Sequence, residues 1–158
     1  MKTAEELRAA EEFFHANIPL TRVMGVRVIA YDEREFVVIA PVALNYNHLH
    51  TAFGGSINAV ATLAGYGLVW MELRGIVAHV VIAESSIRFL QPVRQTIRAV
   101  CKKPDARELA AFLETLRAKG KAKIALHVRV EEDGGRAAEF HGVFVAVSDA
   151  KDRQSQTE

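Results

Sequence analysis

The chain has 158 residues, 50% of them hydrophobic, and a formal net charge of +1 at pH 7. This length suits one hydrophobic core, and the near-neutral charge gives no electrostatic reason to expect nucleic acid or an anionic membrane as a partner. The single cysteine, Cys101, excludes an intrachain disulfide, and no spacing of cysteine and histidine resembles a zinc site, so we expect no metal.

The N-terminal half begins with a predicted helix over residues 3–16, which is acidic at its start and does not resemble a signal peptide. A cytoplasmic protein is therefore expected. The segment GVRVIAYDEREFVVIAPV predicts two short strands around a charged turn at residues 32–35. Residues 51–71 carry no charge and are long enough to cross a bilayer, but they contain four glycines and lack flanking lysine or arginine clusters. These features favour a helix over residues 53–73 that is buried by its own protein.

The C-terminal half contains further strand patterns and a second helix. HVVIAESSIRFLQPV and QTIRAVCKK each predict a strand, and Asp105 and Gly120 are suited to begin and end a helix between them. KIALHVRV alternates in hydrophobicity, and a turn at residues 133–135 predicts a hairpin with AAEFHGVFVAV. We expect one domain over residues 1–148 and a disordered polar tail over residues 149–158.

This order predicts an α+β protein in which a strongly curved antiparallel sheet wraps around a central apolar helix. That arrangement is the hot-dog fold, and three segments carry a family resemblance: NYNHLHTAFGGS, LAGYG and ESSIRFLQPV. They resemble hot-dog thioesterases of the phenylacetyl-CoA and acyl-CoA type. Over residues 10–148 the chain is most similar to the YiiD C-terminal type. The resemblance implies a thioester hydrolase for acyl-CoA or acyl carrier protein, without a cofactor beyond the coenzyme A of the substrate.

Thioester hydrolysis places negative charge on the carbonyl oxygen, and hydrogen-bond donors must already point at that oxygen. A glycine pair at a helix N-terminus offers free N–H groups, so Gly55 is the predicted oxyanion donor and Gly54 a substrate contact. The resemblance places Asn47 in the same loop motif. Where the family has histidine and a helical carboxylate, this chain has Phe53 and Thr62.

The general base must therefore come from another residue. His50 is the first candidate because the pKa of an unperturbed histidine is about 6.5, and Glu84 on the neighbouring strand is the second. Thr62 can hold a water molecule, although a helical threonine more often bonds to its own backbone. Asn47 has the alternative role of satisfying loop backbone groups. The predicted substrate contacts are Phe53, Gly54, Ser56, Ile57 and Val60, with the acyl chain lying between subunits of a homodimer or homotetramer.

Two other functions remain open from the sequence. Without a helical carboxylate, the same fold could bind acyl-CoA without hydrolysing it. The segment NYNHLH also resembles the catalytic loop of hot-dog enoyl-CoA hydratases, with His50 in the histidine position but Asn45 in place of the acid. Hydration needs one group to activate water and another to protonate carbon, so the missing acid counts against a hydratase.

Overall fold

The structure, a computed structural model, describes residues 2–149. The predicted disordered tail therefore lies, from residue 150 onward, outside the described residues. The helices are α1 (Ala4–Asn17), α2 (Leu20–Val23), α3 (Gly54–Glu72) and α4 (Ala106–Lys119). The strands are β1 (Arg27–Tyr31), β2 (Glu35–Pro41), β3 (Ala78–Phe89), β4 (Thr96–Lys102), β5 (Lys121–Glu132) and β6 (Gly135–Ser148).

The six strands form one antiparallel sheet in the order β1-β2-β4-β5-β6-β3. Helix α3 contacts five of these strands on the inner face of the sheet. The predicted α+β architecture, a curved sheet around one apolar helix, is confirmed. No helix among residues 2–149 is long and apolar enough to cross a membrane.

Helix α3 is uncharged up to Met71 because protein surrounds most of its circumference. Two glycines let the helix approach bulky aromatic side chains closely. A Cβ atom at Gly65 would lie 2.5 Å from the ring of Phe144, and one at Gly67 would lie 2.4 Å from the ring of Phe36. Both rings are fully buried, so the helix and the sheet fit together only if these positions lack side chains.

The predicted signals that begin and end elements are also found in the structure. Asp105 caps α4 by accepting a hydrogen bond from the Glu108 N–H at 2.8 Å, and Gly120 ends the helix in the left-handed region at φ 69°. Asp133 and Gly134 have φ values of 46° and 74°, as a tight two-residue hairpin requires. These local features place β5 and β6 in the register that buries their apolar faces.

The two edges of the sheet differ. Helix α1 covers the β1 edge: Glu11 accepts a hydrogen bond from the Val28 N–H at 3.0 Å, and His15 donates to the Val26 carbonyl at 2.9 Å. The opposite edge, β3, is a 12-residue strand that is exposed along most of its length. Its apolar residues include Val81, which is 55% exposed. One edge is therefore closed by the chain itself, and the other is open.

Candidate functional site

The loop over residues 45–53 lies directly before α3, and two asparagines fix its shape. The Asn47 carboxamide oxygen accepts hydrogen bonds from the N–H groups of Leu49 and Thr51 at 2.9 and 3.2 Å. Its Nδ2 donates to Thr51 Oγ1 at 3.1 Å. These hydrogen bonds match the alternative role predicted for Asn47, which is to satisfy backbone groups of the loop. A role for Asn47 in catalysis stays a prediction.

Asn45 holds this loop against the body of the protein. It is 4% exposed, and its Nδ2 donates to the carbonyl oxygens of Met24 and Pro41, both at 2.8 Å. Its own carbonyl oxygen accepts the Phe53 N–H at 2.7 Å. The loop therefore delivers the chain to the start of α3 in a fixed position.

Helix α3 begins with backbone donors that no side chain caps. Phe53 is the N-cap residue, it makes no side-chain cap hydrogen bond, and the first bond of the helix runs from Ile57 N–H to the Phe53 carbonyl at 3.0 Å. The N–H groups of Gly54, Gly55 and Ser56 precede that bond. They lie at the positive end of the helix dipole, where an oxyanion is stabilised.

Two exposed aromatic rings flank this row of donors. The Phe53 ring lies over Gly55, so that a Cβ atom there would be 2.4 Å from the ring, and Phe53 is 56% exposed. The Phe89 ring lies 3.4 Å from the position of a Cβ atom on Gly54 and is 54% exposed. The helix start therefore combines free donors with apolar surface, which suits a thioester attached to an acyl chain.

His50 lies in the same loop and is accessible. Its φ is 58°, in the left-handed region, and its ring stacks on Tyr46 with centroids 5.5 Å apart. Within residues 2–149 the imidazole nitrogens form no hydrogen bond. Thr62 is bonded to its own helix, because its hydroxyl donates to the Asn58 carbonyl at 2.9 Å. Its hydroxyl oxygen keeps lone pairs that can still accept a hydrogen bond.

The structure does not bring Glu84 to this site. Glu84 pairs with Val143 and, like His127 and His141, faces the outer side of the sheet, whereas α3 packs on the inner side. Ile57 and Val60 are buried in the core at 4% and 0% exposure. Of the predicted substrate contacts Phe53, Ile57 and Val60, Phe53 alone is accessible in the single chain. Because the sheet lies between Glu84 and the start of α3, the Glu84 carboxylate is not placed to act as the base at that position.

The outer face of the sheet carries open grooves that share His127. Their volumes are about 730, 400 and 230 Å³, and none of the three contains a residue of the loop or of α3. The volume of a groove therefore does not identify the candidate site. In the isolated chain that site is a shallow surface at the start of α3. Residues 2–149 contain no group of three or more His, Cys, Asp or Glu side chains placed to hold a metal ion.

Cys101 is buried on β4, on the same face as Ile97 and Ala99. Burial raises the pKa of its thiol to about 12, so the reactive thiolate is absent at neutral pH. A nucleophilic cysteine is thereby excluded. Hydrolysis at this site would need an activated water molecule instead.

Two residues of the site were not identified from the sequence. Asn58 lies one turn beyond Gly54 on α3, and its buried Oδ1 has no hydrogen-bond partner within the described chain. Phe89 ends β3 beside Gly54. The sequence feature that could have identified Asn58 is its position four residues before Thr62, in a stretch of helix that is mostly apolar. The feature that could have identified Phe89 is its place as the aromatic residue of the segment ESSIRFLQPV.

The fold and the glycine pair define this chain as a hot-dog protein of the thioesterase type. It belongs to the family described as "Putative thioesterase (yiiD_Cterm)", which matches residues 7–148. A putative thioesterase from Shewanella oneidensis has 33% identity and a TM-score of 0.85, over 92% of this chain and 99% of that one. A Chlorobaculum tepidum protein of unknown function has 29% identity and the same TM-score, over 90% and 94% of the two chains.

More distant structures share the fold. The E. coli PaaI protein from the phenylacetic acid degradation operon has 16% identity and a TM-score of 0.62, over 94% of this chain and 97% of that one. Such a likeness shows the hot-dog fold alone. The predicted family membership and fold are confirmed by these matches.

Proposed function

We propose that this protein hydrolyses acyl thioesters carried by coenzyme A or acyl carrier protein. The observation that carries the proposal is the start of α3, where uncapped N–H groups at Gly54 and Gly55 lie between the exposed rings of Phe53 and Phe89. Membership of a thioesterase family supports it. Coenzyme A enters as part of the substrate, and the proposal needs no metal or other cofactor.

In the proposed reaction the thioester carbonyl oxygen accepts a hydrogen bond from the Gly55 N–H. Negative charge that develops on this oxygen during attack is stabilised by the N–H and by the helix dipole. A water molecule attacks the carbonyl carbon and its proton passes to a base. The thiol leaves with a proton and the carboxylic acid is released.

His50 is the base that we propose. It lies in the loop that precedes the glycine pair, is exposed, and has no hydrogen-bond partner on its ring within residues 2–149. An accessible imidazole with a free ring nitrogen can accept the proton of an attacking water. Thr62 and Asn47 are then secondary contributors, and Glu84 is disfavoured because it faces the opposite side of the sheet.

A homodimer is part of the proposal. The open β3 edge carries exposed apolar residues, and an unpaired edge of this length is stabilised when it pairs with another strand. Phe89 at the end of β3 lies against Gly54, so a second chain on that edge would come close to the helix start. Such a partner would deepen the shallow site into a cleft for the acyl chain. A tetramer would require a further interface on the outer face.

A binding protein that does not hydrolyse acyl-CoA is the second candidate, and the absence of a carboxylate on α3 before Glu72 favours it. A hydratase is disfavoured because Asn45, which occupies the position of the acid, is buried and uses its Nδ2 to hold two backbone carbonyls. A cytoplasmic location accompanies the main proposal, since the buried Cys101 is a free thiol.

The test is thiol release from a panel of acyl-CoAs, short to long and aromatic, by the wild type, His50→Ala and His127→Ala. His127 lies on the outer face of the sheet and is the matched control. Turnover that is lost in His50→Ala alone supports both the hydrolase and its base. No turnover on any substrate, together with a higher melting temperature in the presence of acyl-CoA, would leave the binding protein as the function. Equal turnover in all three proteins would exclude His50.

A further inference from the structure

Asn58 is a polar side chain in an apolar stretch of α3 whose hydrogen-bonding capacity is unused. Its Oδ1 is buried and has no partner, and the carboxamide forms no hydrogen bond within the described chain. Asparagine is a poor helix former, and an unpaired buried acceptor destabilises the fold further. Both effects destabilise the fold, and the Asn58 side chain makes no hydrogen bond that offsets them. We therefore infer that this side chain has a role in binding.

The location of Asn58 supplies that role. A helical side chain leans toward the N-terminus and covers the turn that precedes it. For Asn58 the preceding turn contains Gly54 and Gly55, four and three residues earlier, and neither has a side chain. From this geometry we expect the carboxamide to lie beside the uncapped N–H groups at which the thioester carbonyl is proposed to bind.

Thr62 extends the same stripe by one turn. Gly54, Asn58, Thr62 and Gly65 recur at helical spacing, and the rings of Phe89 and Phe144 lie against the first and last of them. The Thr62 hydroxyl donates to the Asn58 backbone carbonyl, so it is not available to satisfy the Asn58 side chain. Two acceptors, Asn58 Oδ1 and Thr62 Oγ1, thus follow the glycine pair on one face of the helix.

We propose that Asn58 holds the attacking water molecule, in place of the carboxylate that this chain lacks on α3. This inference rests on the proposed hydrolase function. The carboxamide turns about its broad χ2 torsion so that Oδ1 faces the helix start, where it accepts a hydrogen bond from one O–H of the water. Asn58 neither gains nor loses a proton; the proton released on attack goes to the general base. Its contribution is to orient the nucleophile.

The experiment compares Asn58→Ala, Asn58→Asp and the matched control Asn17→Ala, an exposed asparagine at the end of α1 that bonds only to the Phe13 carbonyl. We expect Asn58→Ala to lower kcat by about 100-fold while KM changes by less than about 3-fold. Its Tm is expected to stay constant or to rise by ~2–4 °C, because an unpaired acceptor has been removed. Asn58→Asp is expected to retain turnover that rises with pH as its carboxylate ionises.

The outcomes separate this inference from the hydrolase proposal. Wild-type protein without turnover on any acyl-CoA would overturn both. Wild-type turnover that Asn58→Ala leaves intact would overturn the role of Asn58 alone. A lower Tm in Asn58→Ala, or a weaker dimer by sedimentation, would show that the carboxamide bonds to another part of the assembly and would also overturn that role.

Discussion

Two glycines of the same helix predict opposite responses to the same substitution. Gly55 and Gly65 both lie in α3 and neither has a positive φ, so the backbone accepts alanine at each. The three atoms nearest to a new Cβ atom at Gly55 all belong to the ring of Phe53, which is 56% exposed and free to rotate away. A new Cβ atom at Gly65 meets two ring atoms of Phe144 at 2.5 Å, and Phe144 is fully buried.

The magnitudes follow from helix propensity and packing. Alanine is favoured over glycine in a helix interior by about 1 kcal/mol, and by less in the first turn. Overpacking a rigid core costs about 2–3 kcal/mol when the contact cannot relax. Gly65→Ala should therefore destabilise the protein by about 1–2 kcal/mol, a drop in Tm of ~2–8 °C. Gly55→Ala should leave the Tm unchanged or raise it by up to ~4 °C.

Activity should separate the two variants in the reverse direction. The Gly55 Cβ atom occupies the approach of the thioester to the proposed oxyanion donor, and loss of one such donor lowers kcat by roughly 10²–10³-fold. Gly65→Ala should keep its turnover at temperatures below its own melting transition. Differential scanning calorimetry and a thiol-release assay on the same samples provide both readings. Full turnover in Gly55→Ala would refute the role of the Gly55 N–H as oxyanion donor. An equal loss of Tm in both variants would refute the claim that the Phe53 ring can rotate away from the new Cβ atom.

Three further predictions concern other parts of the protein. Val81→Lys on the open edge should shift the proposed dimer to monomer in sedimentation, whereas lysine at the exposed Val23 should not. Burial raises the pKa of Cys101 from 9.0 to about 12, so the unfolded state alone ionises between these values, and stability should fall with pH by about 1.4 kcal/mol per unit. Urea unfolding at pH 8 and 10 checks this, and an equal decline in Cys101→Ser would contradict it. Burial opposes ionisation of Glu131, but hydrogen bonding, above all from Arg129, holds the pKa of its carboxyl below the usual 4.5. Glu131→Gln should therefore lower the free energy of unfolding by about 1 kcal/mol at pH 7. The loss should be smaller at pH 3, because the ionised form of Glu131 is being lost there.

Local chemistry in the sequence was sufficient to predict most of the fold. Asp105 and Gly120 enclose α4, and the turn at residues 133–135 sets the β5–β6 register, because capping and turn formation depend on neighbouring residues. The uncharged stretch of α3 predicted burial for a comparable reason, since a helix apolar on all sides needs protein around it.

The site was predicted only in part because its chemistry depends on contacts between distant segments. The glycine pair was recognised from its position before an apolar helix. The unused Oδ1 of Asn58 and the position of Phe89 against Gly54 are facts of tertiary structure that no spacing reveals. Glu84 was a candidate because its strand neighbours the helix, yet alternation along β3 turns it to the outer face.

The unequal edges of the sheet also limit how these molecules can assemble. A sheet with two open edges can add copies at both sides without end and grow into a fibre. Here α1 occupies the β1 side, through Glu11 and His15, so that within residues 2–149 the β3 edge alone is open to another strand. In the proposed dimer, two chains joined through β3 would use up the open edge of each, and growth would stop at a closed pair. In the proposed dimer, helix α1 would thereby end the addition of strands, and its deletion should let the assembly elongate through the uncovered β1 edges.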